Sequence, residues 1–156
     1  MATPELKDRL QSDLTDAIRS RDELRTATLR MALTAVKSAE VAGTEARTLS
    51  DDEILVVLRT EVKKRREAAE AFAAADRPDR ADRERAEQGV LEGYLPAQLS
   101  DEDVAAAVAA AVSQAAYGGQ TGMAAMGRVM GILKPQLGQQ VDGGRLAAEV
   151  RRQLQG

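Results

Sequence analysis

Three aromatic rings in 156 residues, Phe72, Tyr94 and Tyr117, leave this chain without bulky side chains to build a core around. Hydrophobic residues still reach 44%, much of it alanine. Such a core closes only where backbones approach closely, which small side chains permit between helices. No alternating pattern of β-branched and aromatic residues marks a strand. The sequence predicts an all-α fold.

Seven helices are expected. The first opens at Thr3-Pro4-Glu5, a cap, a first-turn proline and an acid in the right order, and carries Leu6, Leu10, Leu14 and Ile18 four apart as its apolar stripe. A second runs from Asp22 to about Ala42 before Gly43. Its apolar positions wrap widely, Leu24 and Met31 on one side and Leu29, Leu33 and Val36 on the other, which suits a helix touched from two sides. Ser50-Asp51-Asp52-Glu53 reads as a capping box. The helix it opens continues through Ile54, Leu58, Val62, Ala69 and Phe72 to about Ala75, where Asp76-Arg77-Pro78 breaks it. A fourth helix is laced by Asp79–Arg83, Arg80–Glu84 and Arg83–Glu87 pairs. It ends in Val90, Leu91, Tyr94 and Leu95 before Pro96.

Charge density falls from there on. Residues 1–96 hold 17 basic and 20 acidic side chains, and residues 97–156 hold five of each. The boundary is therefore placed near Pro96–Leu99, giving a four-helix part over 1–96 and a three-helix part over 97–156. In the second part Ser100 caps a helix with Val104, Val108, Ala111 and Val112 inward. A loop from Tyr117 to Gly122 leads to a helix from about Met123 to Leu133, expected to stop before Lys134-Pro135. The last helix starts at Asp142, with Val141 stapled onto Leu146, and turns Leu146, Val150 and Leu154 inward.

Composition also limits the chemistry. The chain has neither Cys nor His, which removes thiolate nucleophiles, cysteine-ligated metals and the usual base near neutral pH. The carboxylates read as surface pairs, so neither a catalytic couple nor a metal cluster is expected, and no cofactor is called for. A net charge of −3 excludes a globally basic nucleic-acid binder, and no DNA partner is expected. With neither a leader-like start nor an apolar run near the ~18 residues of a membrane span, a soluble cytoplasmic protein is expected.

Lys63-Lys64-Arg65-Arg66 is the densest basic run. It reads either as a solvated face balanced by Glu61, Glu67 and Glu70, or as a local phosphate-binding surface extended by Arg30 and Lys37. Arg65 stands apart from its neighbours. At about 100° per residue it projects between Leu58, Ala69 and Phe72, on the apolar side. A guanidinium there must snorkel, pair with a carboxylate or face a groove. In the second part, Gly127 and Gly131 share a helix face that permits close approach at a cost in helix stability. Met123, Met126, Met130 and Leu133 form the adjacent apolar stripe, expected as core or as an adaptable partner groove. Asp142-Gly143-Gly144 is a helix start whose backbone donors could also meet a phosphate.

Thr28-Leu29-Arg30-Met31, Lys37, Lys63-Lys64-Arg65-Arg66-Glu67, Arg77, Glu84, Glu87 and Tyr94-Leu95-Pro96, followed by Gly127-Arg128-Val129-Met130-Gly131 and Asp142-Gly143, together resemble the YqeY family over essentially the whole chain. The C-terminal half of that family is similar to the tail domain of GatB, a subunit of the glutamine-dependent aspartyl/glutamyl-tRNA amidotransferase. The resemblance implies an N-terminal bundle followed by a three-helix tail-like domain. It also implies contact with tRNA or a tRNA-processing protein, with Gly127, Met130, Gly131, Asp142 and Gly143 as the tail motif. Where the family commonly has Gly-Arg-Ala-Asp-Gly, this chain has Gln139-Gln140-Val141-Asp142-Gly143. The carbon–nitrogen ligase chemistry belongs to other parts of the amidotransferase. A non-catalytic tRNA-associated module is thus expected, with a protein–protein adaptor without RNA contact as the alternative and a carbon–nitrogen ligase component using glutamine as amido donor as the least favoured reading.

Overall fold

The computed structural model describes residues 5–138 and 140–156. Thr3 and Pro4, read as the first helix cap, lie outside the described residues, as does Gln139. Among the described residues there are seven α-helices, one short 3-10 turn and no strand. The chain divides into two compact units, residues 1–95 and 96–156.

The first unit holds α1 (Glu5–Ser20), α2 (Glu23–Glu40), α3 (Asp51–Ala74) and α4 (Pro78–Glu92). Three of these four starts have a local cause. Asp22 accepts from the Arg25 backbone N–H at the head of α2. At the head of α3, Ser50 and Glu53 form the reciprocal capping box that the sequence predicts. Pro78 opens α4, where a missing N–H costs nothing. The core gathers Leu6, Leu10, Leu29, Val36, Leu49, Ile54, Leu58, Val62, Leu91 and Tyr94. Helix α2 packs against α1, α3 and α4, the central place expected of it. It ends at Glu40 with Val41 as its cap, short of Gly43. Ile18 is 48% exposed, and Ala17 takes the core position expected for it. In α4, Arg83 pairs with Glu87 as expected, while Asp79 pairs with Arg77 instead of Arg83.

The second unit holds α5 (Asp101–Tyr117), a 3-10 turn (Gly122–Ala125), α6 (Met126–Leu137) and α7 (Gly143–Gln155). The three helices pack pairwise around Val104, Val108, Ala111, Ala115, Ala125, Val129, Leu133, Val141, Leu146 and Val150. Two expectations need correcting. Of the methionine stripe only Leu133 is fully buried; Met126 and Met130 flank the core and Met123 is exposed. Also, α6 runs through Pro135 to Leu137. Pro135 has no N–H to donate to the carbonyl of Gly131, and both residues are exposed, which leaves that carbonyl open to solvent.

Candidate functional site

In the first unit, α2 and α3 bound an open groove of about 610 Å³. One wall is Arg30, Met31, Thr34, Ala35 and Ser38; the other is Val56, Val57, Thr60, Glu61 and Lys64. Both walls follow i, i+4, i+8 spacing, so each presents one helix face over two turns, roughly 12 Å. Met31 and Val56 are 47% and 54% exposed. The hydroxyls of Thr34 and Thr60 donate to the carbonyls of Arg30 and Val56, so neither offers its proton to the groove.

The basic residues singled out by sequence do not converge. Arg30 and Lys64 line this groove. Arg66 lies in a separate recess with Glu70, Arg85, Gln88 and Glu92. Lys37 and Lys63 are exposed and line neither. Arg65 is only 5% exposed. Of the options open to it, it takes the carboxylate pair: Nη1 is 3.0 Å from Glu61 and Nε is 3.7 Å from Glu87. It is a buried cation held between two carboxylates.

In the second unit, Gly127 and Gly131 sit on an exposed face of α6, and a Cβ built on either would meet nothing within 4 Å. The glycines therefore serve no close approach within this unit. Arg128 and Lys134 are exposed on the same helix, which carries no acid. Neither has an ion-pair partner among the described residues, whereas Arg145 and Arg152 pair with Asp101 and Glu149. Asp142 caps α7 through the Arg145 backbone N–H, and Gly143 begins that helix with open space around its Cα. Met130 is half-buried against the core. Sequence reasoning missed Arg128 and Lys134 as a pair, although the absence of acids between Met126 and Leu137 was there to see.

The family model described as Yqey-like protein matches residues 7–154. The chain belongs to the YqeY family. The match spans the α2–α3 groove and the glycine face of α6 alike. An uncharacterised protein of Schizosaccharomyces pombe, C22F3.15, is 31% identical over 100 residues, covering 64% of this chain and 80% of that one.

Electrostatics in this YqeY chain follow its ion pairs. The carboxyls of Glu23, Glu40, Glu53, Asp79 and Glu149 are all held below their usual range, first of all by hydrogen bonds from Arg83, Lys7, Arg47, Arg77 and Arg152 respectively. A general acid needs the opposite displacement. Among the described residues no three carboxylates gather as a metal site, and no helix is long and apolar enough to cross a membrane.

Proposed function

We propose that this protein is a tRNA-associated accessory module that binds and does no bond chemistry of its own. The observation that carries this reading is the face of α6. Two glycines leave the helix backbone bare, and Arg128 and Lys134 stand exposed on a helix without acids. A phosphodiester backbone suits such a face: it needs close approach and cationic partners, and asks for no aromatic stack. The resemblance of the C-terminal half to the GatB tail supports the same assignment. With two cations the contribution is small, a salt slope of roughly −0.7 per phosphate neutralised on single strands and −0.9 on duplex. Modest affinity fits an accessory role, in which another protein supplies the rest of the contact.

Titration of unmodified tRNA with the full chain at two salt concentrations tests this. Binding should weaken with salt and fall further in Arg128→Glu/Lys134→Glu, with far-ultraviolet dichroism unchanged. Undetectable binding at low salt, or binding indifferent to the double substitution, overturns the reading.

A further inference from the structure

We infer that the α2–α3 groove docks an amphipathic helix of a partner protein, one whose carboxylates meet Arg30 and Lys64. This does not depend on the tRNA reading, since it concerns a different unit and a different surface.

The two cations lie at the same end of the groove. Arg65 Nη2, next in sequence to Lys64, reaches Met31 Sδ at 3.4 Å, so the start of the α2 wall meets the end of the α3 wall. The walls therefore run antiparallel, with Arg30 and Lys64 at one end and Ser38 with Val56 at the other. Glu61 lies at the cationic end, but it is shared between Lys64 and Arg65, each 3.0 Å away. Arg30 has no ion-pair partner among the described residues. Glu87 also faces Arg65, so the excess positive charge at this end is that of Arg30, and the floor running from Met31 through Ala35 to Val56 and Val57 is apolar.

Each feature narrows the occupant. Two exposed apolar side chains facing one groove gain by excluding water together. A length of two turns matches a helix presenting apolar residues at i, i+3 or i+4, and i+7. The positive end selects acidic residues, or the negative pole of the docked helix dipole, at that end. RNA is disfavoured here because a phosphodiester backbone gains nothing from the apolar floor of Met31, Ala35, Val56 and Val57, and Thr34 and Thr60 have their hydroxyl protons engaged.

Selection of a displayed library of 15-residue helical peptides against the full chain tests the proposal. Enriched peptides should carry an apolar i, i+3/i+4, i+7 face with carboxylates toward one end. Affinity should fall at least about tenfold in Met31→Glu/Val56→Glu, whose exposed positions leave the fold intact by dichroism. Arg30→Glu/Lys64→Glu should reverse the charge preference, so that lysine-bearing peptides win. No enrichment, enriched peptides indifferent to both variants, self-association of the chain abolished by Met31→Glu/Val56→Glu, or tRNA competing for this groove would each overturn it. Loss of tRNA binding in the Arg128/Lys134 variant, by contrast, leaves these outcomes unmoved.

Discussion

Arg65 and Glu61, one turn apart on α3, form an ion pair at 3.0 Å in which both side chains are buried. Glu87 of α4 approaches the same guanidinium, and Arg83 in turn joins Glu87 to Glu23 at the head of α2. The pair is thus the inner end of a charge network tying three helices together. Burying such charges costs about as much as their attraction returns, whereas removing one partner strands the others.

The Arg65→Leu variant should therefore lose about 3–5 kcal/mol, toward the lower figure because Lys64 and Arg83 still face the two carboxylates. Replacing Glu61, Arg65 and Glu87 together by leucine should recover most of that loss. Urea unfolding of the three proteins checks it. A triple variant no better than Arg65→Leu would show that the network contributes net stability.

That Arg65 faces inward follows from angle alone, since 100° per residue carries it to the side of Leu58 and Ala69. Caps are legible for the same reason: Ser50, Glu53 and Asp142 act on backbone groups within three residues of themselves. The errors have equally local causes. An i+4 row drifts by about 40° per step, so a stripe through Leu6, Leu10 and Leu14 leaves the core by Ile18, and a three-residue step to Ala17 restores it. Residues Gly122–Ala125 wind as a 3-10 turn with three residues per turn, which misphases a helical projection begun at Met123. Which wall of which groove receives Arg30, Lys64 and Arg66 depends on helix neighbours, and no local rule supplies those.

Tyr94 is the one ring in the core, and its hydroxyl donates to Asp13 while accepting from Arg25 at 3.2 Å. Burial, and then the Asp13 carboxylate, push its hydroxyl from 10.0 up to about 12. A group whose folded value is raised stabilises fully below its unfolded value, so this contribution is complete below about pH 10 and lost as pH rises through 12. In Tyr117→Phe, Tyr94 is the sole tyrosine, and ultraviolet titration should show a midpoint near 12. Tyr94→Phe should cost about 1 kcal/mol and flatten the alkaline limb of stability. A midpoint near 10 would mean that the ring is solvated and unpaired.

Gly127 and Gly131 separate stability from binding. A methyl at either meets open space, so nothing in the second unit requires glycine there. Helix propensity then favours alanine by roughly 0.5–1 kcal/mol at Gly131, and by less at Gly127 in the first turn. Gly127→Ala/Gly131→Ala should raise the melting temperature of the second unit. If the bare backbone of α6 is what tRNA approaches, the same pair of methyls should weaken tRNA binding although both charges remain. Paired calorimetry and tRNA titration read the two effects independently. A variant that is more stable and binds equally well would show that the glycines serve no interface, leaving Arg128 and Lys134 to carry any contact by charge alone.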